Sequence, residues 1–237
     1  MTSRQSTVLA TLSECCIKGH KHNGDPAGGI IKLAGLDTYI AEPTNEVTSP
    51  KKVLIFLSDV YGSQHINAML LQDQFAHNPG WNVEDTGPWG TEKLEAARET
   101  FPPWIEALKE KFGTDGTKYF AVGYCFGGAF ACELAATDAV DAAVIAHPVA
   151  ALALHPYPLT AEPLLLLCAE VDGAFPTSAR RRAEAILAEH KKIYHIRLFS
   201  GVEHGFAVRG DLSNKNSKWA IEDAARAVVG WCERFSE

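Results

Sequence analysis

The feature that most constrains this chain is an alternation of short apolar runs with longer amphipathic stretches. Val53-Leu-Ile-Phe-Leu57 is a compact run of the kind that forms a strand buried on both faces, and Tyr119-Phe-Ala-Val122, Ala142 to Ala146 and Leu164 to Ala169 repeat it. Helical stretches follow them: His65 to His77, Thr91 to Phe112, Phe126 to Ala136, Ala179 to His190 and Lys215 to Phe235. In the last, Trp219, Ile221, Ala224, Val228 and Trp231 mark one face. Gly35 to Ala41 reads as a first edge strand and Ile193 to Phe199 as a short late one, while Pro102-Pro103 is expected to break or restart its helix. The pattern calls for an α/β fold: a mostly parallel sheet with helices on both faces, right-handed crossovers and a ligand site at the carboxyl ends of the strands.

A length of 237 residues suits one such domain, read here as 35–237. Residues 1–34 form a polar lead-in packed on it, because Gly19, Gly24, Gly28, Gly29 and Gly35 interrupt every apolar run. With 22 Lys+Arg against 29 Asp+Glu the chain is acidic, and its densest basic cluster is Arg180-Arg181-Arg182, so a nucleic-acid partner is excluded. No apolar run approaches a membrane span, and Met1 to Leu12 lacks the continuous apolar core of a secretory signal. The expectation is a cytoplasmic protein, monomer or homodimer, with its six cysteines as thiols. They form no C-x-x-C pair and no Cys/His spacing suited to zinc, and His20-Lys-His22 lacks further donors, so neither metal nor cofactor is expected.

One thiol stands in a special context. After the strand ending at Val122 the chain reads Gly123-Tyr124-Cys125-Phe126-Gly127-Gly128 and enters a helix. This is the G-x-[S/C]-x-G elbow in its required strand, turn and helix setting. The glycines let helix and neighbouring strand approach a strained central residue. At a helix amino end the dipole and unpaired N–H groups favour a thiolate, and the Phe126 N–H faces the place of an oxyanion. Such a nucleophile needs a base and the base an orienting acid, in the chain order nucleophile, acid, histidine. Asp172, after the strand ending at Ala169, and His204, in Gly201-Val-Glu-His-Gly-Phe206, supply that order. His147 is the rival base, and Glu170 and Glu203 are rival acids. Asp59, at the carboxyl end of Val53 to Leu57, is either a group of the site or an exposed loop acid.

Taken together, Ser-Asp-Val-Tyr-Gly at 58–62, Tyr-Cys-Phe-Gly-Gly at 124–128, Val-Asp-Gly at 171–173 and Glu-His-Gly-Phe-Ala at 203–207 resemble the dienelactone hydrolase family of the α/β-hydrolase superfamily, in particular its fungal members. Cys15-Cys16-Ile-Lys-Gly and Asp37-Thr-Tyr-Ile-Ala are similar to the same subgroup. The resemblance implies an α/β-hydrolase-like three-layer sandwich and a Cys125, His204 and Asp172 triad acting on lactones or small activated esters through a thioester. It further implies that Asp59 contacts the resting thiol and helps take its proton, and that the N–H groups of Val60 and Phe126 form the oxyanion hole. Arg209 would bind a substrate carboxylate, with Tyr61 and Tyr124 as neighbouring substrate contacts. The alternative is a catalytically inactive binding protein on the same scaffold.

Between His77 and Thr91 the chain departs from that family. Asn78-Pro-Gly-Trp-Asn-Val-Glu-Asp-Thr-Gly-Pro-Trp-Gly90 lacks the buried strand and the arginine-bearing loop that the resemblance implies, as if a block were deleted between Asn78 and Pro79. The sheet is therefore expected to be one strand short, with exposed strand edges. Trp81 and Trp89 are either pocket-lining or structural aromatics.

Overall fold

A computed structural model describes residues 14–43, 51–78, 81–86, 94–149 and 162–237. A short 3-10 turn, Glu14–Ile17, precedes the strands β1 (Gly29–Leu33), β2 (Leu36–Ala41) and β3 (Lys52–Leu57), helix α1 (Ile66–Ala76) and strand β4 (Trp81–Thr86). Then come α2 (Leu94–Phe112), β5 (Lys118–Tyr124), α3 (Gly127–Ala135), β6 (Ala142–Ala146) and β7 (Leu164–Val171). The chain ends with α4 (Thr177–Glu189), β8 (Tyr194–Glu203), the short α5 (Phe206–Arg209) and α6 (Lys215–Arg234). The strands build one eight-stranded sheet in the order β1-β2-β4-β3-β5-β6-β7-β8. From β4 through β8 every neighbouring pair is parallel, while β1 and β2 are antiparallel additions at one end.

The central strands are apolar throughout because both faces are covered. Val53, Ile55, Leu57, Ala121, Ala143, Ile145, Leu164 and Leu166 point to one side, into a core shared with Phe101, Trp104 and Leu108 of α2, Phe130 of α3 and Leu187 of α4. Their sequence neighbours Leu54, Phe56, Phe120, Val122, Val144, Leu165 and Leu167 point to the other, against Leu71 and Phe75 of α1 and Ala224, Val228 and Trp231 of α6. This is the three-layer sandwich expected, and the period-two alternation of each strand divides its residues between the two cores. No helix among the described residues is long and apolar enough to cross a membrane.

Three expectations are corrected. Trp81–Thr86 is a strand, parallel to β3 on one side and antiparallel to β2 on the other, so the sheet has no gap after α1. Val83 is wholly buried at its centre, opposite Leu54. The polar spelling of the segment conceals a strand whose pairing, rather than its composition, places it in the sheet. Second, the sheet starts before the expected domain boundary: β1 pairs with β2 through a two-residue turn in which Ala34 and Gly35 have φ of 47° and 82°, the positive values such hairpins require. Third, α2 runs unbroken through Pro102 and Pro103. Both prolines lie on its exposed face, where water can serve the carbonyls they leave unpaired, and burial of Phe101, Trp104, Ile105 and Leu108 on the opposite face holds the helix. Trp89 lies outside the described residues.

The lead-in is tied down by side chains reaching from the domain. Asp73 accepts from the N–H groups of Ala27 and Gly28 and from the Tyr39 hydroxyl, at 2.7, 3.2 and 2.7 Å. Asn67 donates to the His20 and Val208 carbonyls at 2.8 and 2.9 Å and accepts from the His22 N–H at 2.9 Å. On the opposite face of the sheet Trp104 Nε1–H donates to Thr38 Oγ1 at 2.9 Å, both residues being fully buried. Thr38→Val should leave that indole N–H without an acceptor and lower unfolding stability by about 1–3 kcal/mol, read from urea denaturation.

Candidate active site

The strand ends place the chemistry. Cys125 follows β5, Asp172 follows β7, His204 follows β8 and Asp59 lies just past β3, so all four stand at the carboxyl edge of the sheet. The elbow at Cys125 is strained, with a φ of 50° at a residue with a side chain. Neighbouring backbone holds it there: the Cys125 N–H donates to the Ala146 carbonyl at 3.0 Å, and the Val149 N–H donates to the Cys125 carbonyl at 3.1 Å. The glycines are sterically required. A Cβ on Gly123 would collide with the Gly127 carbonyl, and one on Gly127 with the carbonyls of Leu57 and Ser58. This closeness lets the Gly127 N–H donate to the Ser58 carbonyl at 3.1 Å, which locks the elbow to the loop after β3.

An irregularity between β7 and β8 at Ala169 and Val171 sets Val171 opposite Glu203, so the residues that follow them, Asp172 and His204, emerge side by side. His204 Nδ1 lies 2.9 Å from each Asp172 carboxylate oxygen, and His204 Nε2 lies 3.1 Å from Cys125 Sγ. Asp172 Oδ1 also accepts from the N–H groups of Ala174 and Phe175 at 2.9 and 2.8 Å, which fixes the carboxylate. A carboxylate so held accepts from Nδ1–H and leaves Nε2 facing the sulfur.

Electrostatics follow from this packing. Burial alone pulls His204 down, but its bond to Asp172, together with that to Cys16, overrides it and raises the imidazole to about 9. The Cys125 thiol is pushed well up, first by its hydrogen bond with Cys16 and then by burial, against the lowering effect of the Phe126 N–H. His147, the rival base, is fully buried with its ring edge-on to His204 at a centroid distance of 5.1 Å. Burial, followed by the His204 charge, holds it neutral, and among the described residues neither ring nitrogen has a hydrogen-bond partner. Of the rival acids, Glu170 accepts from the Gly201 N–H at 2.7 Å and Glu203 is exposed. Only Asp172 of the three is bonded to His204.

Four expected roles meet a different geometry. Asp59 is buried, but its carboxylate is paired with Arg209 and accepts from the Tyr61 N–H at 2.9 Å; no bond joins it to the Cys125 thiol. Arg209 is equally committed. Its guanidinium bonds to Asp59 and donates to the carbonyls of Cys16 and Lys18 at 2.9 and 3.0 Å, so it is not an open carboxylate receptor. Tyr61 stacks over Arg209 and spends its hydroxyl on the Ile17 carbonyl at 2.6 Å. Tyr124 is fully buried in the core opposite Cys125, stacked on Phe56 at 4.9 Å, because adjacent strand residues face opposite ways. Of the two amides expected at the oxyanion, that of Phe126 is bonded to the Cys125 sulfur, and Val60 lies in the loop locked to the elbow.

Sequence reasoning missed Cys16. It is 1% exposed, within hydrogen-bond reach of both Cys125 and His204, and held there because its carbonyl is tied to Arg209. The vicinal Cys15-Cys16 pair was the available signal, but no spacing rule links the lead-in to an elbow so distant in sequence.

Two measurements check these assignments. The His204 ring protons should titrate near 9 by NMR and shift down in Asp172→Asn. Since the folded-state value lies above the ordinary 6.5, the pair's contribution to stability is complete below about pH 6.5 and is lost as pH rises through about 9. Arg209→Met should cost about 3–5 kcal/mol in urea unfolding by leaving the Asp59 carboxylate buried and unpaired, and adding Asp59→Asn should recover part of that loss.

Comparison with known proteins identifies the family and the fold. The profile of the dienelactone hydrolase family matches residues 88–236. Two relatives from Gibberella moniliformis, Dienlactone hydrolase 2 and Dienlactone hydrolase 1, are 28% and 29% identical over 257 and 261 residues, covering 97% and 98% of this chain and 98% of each of theirs. These alignments exceed the 237 residues of the chain, so the relatives carry segments it lacks. Among solved structures, an esterase from Thermogutta terrifontis superposes with a TM-score of 0.66 at 17% identity, over 86% of this chain and 92% of that one. A dienelactone hydrolase-like promiscuous phosphotriesterase from metagenomic libraries superposes with a TM-score of 0.66 at 16% identity, over 88% and 98%. With the profile spanning more than half its length, the chain belongs to the dienelactone hydrolase family.

Proposed function

We propose that this protein hydrolyses lactones or small activated esters with Cys125 as nucleophile, His204 as base and Asp172 as its orienting acid. The observation that carries the reading is the hydrogen-bonded chain from Cys125 Sγ through His204 to Asp172, seated at the strand ends of a member of this family. In its neutral form, favoured when Cys16 withdraws its bond, His204 takes the Cys125 proton at Nε2, and the thiolate attacks the carbonyl carbon. The N–H groups of Phe126 and Val60 receive the oxyanion. Collapse breaks the acyl carbon–oxygen bond; the His204 imidazolium protonates the departing oxygen, leaving a thioester on Cys125. Neutral His204 then takes a proton from water, whose oxygen attacks the thioester, and the sulfur leaves as thiolate to recover its proton from His204. Asp172 stabilises the imidazolium at each turn.

Arg209 and Asp59 enter as a pair. An anionic substrate that draws on Arg209 has to exchange with the Asp59 carboxylate, which releases that carboxylate beside the site. Cys125 is fully buried, so acylation requires a covering contact such as Cys16 to yield to the substrate. We read the protein's setting as cytoplasmic, where cysteines remain thiols. The substrate is small, and neither nucleic acid nor membrane is part of the reading.

An activated aryl ester tests the proposal. The protein should give a burst of aryl alcohol and an acyl adduct on Cys125 by mass spectrometry. Cys125→Ala should abolish both, and His204→Ala should retain at most slow acylation. Turnover at the unsubstituted rate in either variant refutes the triad, and a protein with a cooperative melt but neither burst nor adduct is a binding protein on this scaffold.

A further inference from the structure

Cys15 and Cys16 have no part in the hydrolysis described above, yet they converge on its centre. Cys15 Sγ, Cys16 Sγ and a ring nitrogen of His204 all lie within 4.8 Å of one another. Cys16 also contacts Cys125, whose sulfur is 3.1 Å from His204 Nε2. Two sulfurs and one imidazole nitrogen thus form one close group, and a third sulfur, that of Cys125, adjoins two of its members without joining the 4.8 Å group; together they are a donor set that soft thiolate-binding ions prefer.

The surroundings match a metal site in two further respects. Asp172 holds His204 Nδ1–H at 2.9 Å and so presents Nε2 as the ligand atom, the carboxylate–histidine pairing that orients a zinc-bound imidazole. The site is also shielded from water, with Cys16, Cys125 and His204 all buried. Zn–S bonds of about 2.3 Å and Zn–N bonds of about 2.0–2.1 Å in a tetrahedron set the donors about 3.6–3.8 Å apart. Cys15, Cys16 and His204 therefore have to contract by about 1 Å from their 4.8 Å limit, and Cys15 has to approach Cys125 from beyond it. Cys15 and Cys16 sit on a short 3-10 turn, and Cys15 is only partly buried, so the movement falls on that turn rather than on the sheet.

We propose that Cys15, Cys16, Cys125 and His204 form a soft-metal site of the Zn2+ class, and that the bound ion silences the hydrolytic centre by occupying its sulfur and its base. Binding forms three metal–sulfur bonds and one metal–nitrogen bond and releases the thiol protons, and any proton on Nε2, to solvent. No electrons are transferred. The silencing rests on the function proposed above, whereas the binding does not.

Full-length protein held reduced with a phosphine is titrated with Co2+ under anaerobic conditions. One equivalent should produce thiolate-to-cobalt charge transfer together with tetrahedral d–d bands, and Zn2+ should displace both. Cys16→Ser and Cys15→Ser should each weaken binding tenfold or more, Asp172→Asn about 10–100-fold, and Cys132→Ser not at all. Cys15→Ser, at a partly exposed position, keeps the comparison decisive if Cys16→Ser melts early. Zn2+ should also block ester hydrolysis, with recovery on EDTA. The proposal is overturned by the absence of a saturable charge-transfer band, by a band unchanged in both cysteine variants, or by Zn2+ inhibition that a reductant rather than a chelator reverses, the mark of a Cys16–Cys125 disulfide. If no ester is turned over, the cobalt spectrum still decides whether the site exists.

Discussion

The buried guanidinium of Arg209 is the interaction on which the rest of this site depends. It joins three parts of the chain that no strand pairing connects: the loop after β3 through Asp59, the lead-in through the carbonyls of Cys16 and Lys18, and the segment after His204 from which it grows. With both ions almost wholly out of water, the pair has a desolvation cost that only complete bonding offsets, and Arg209 spends donors on two carbonyls as well as on the carboxylate. The result is geometric specificity. Cys16 stands beside Cys125 because its own carbonyl is bonded to this cation.

Strain and close packing complete the arrangement. The positive φ at Cys125 is sustained by bonds to Ala146 and Val149 and by glycines that let α3 press on the loop after β3. The irregularity in the β7 to β8 pairing does the corresponding task for Asp172 and His204, bringing them side by side where regular pairing would continue the ladder. The central sheet can support such distortion because its strands are locked between two apolar cores.

Much of this was legible in the sequence where burial dictates composition. The strands at Val53, Tyr119, Ala142 and Leu164 are apolar because two layers of helix cover them, and the elbow glycines declare themselves by spacing. Asp172 and His204 stand out in the sequence because each follows a strand, and the structure brings the two together. What stayed hidden depends on partners remote in sequence. Trp81–Thr86 is spelled like a loop and becomes a strand by lying between β2 and β3. Arg209 reads as a cation open to a substrate carboxylate until Asp59 and two carbonyls close on it. Tyr124 was misplaced because a motif names neighbours without saying that adjacent strand residues face opposite layers.

The sheet order carries a consequence for any attempt to divide the molecule. The stretch matched by the family profile, 88–236, holds the thiol, the acid and the histidine, yet β3, flanked by β4 and β5 at the middle of the sheet, comes from the part before it. Severing the chain between β4 and α2 would yield one fragment with the reactive groups and no seam to close its core, and another with the seam and no reactive groups. Activity would then report the meeting of two halves, which makes this fold a natural candidate for a split reporter whose signal is reassembly.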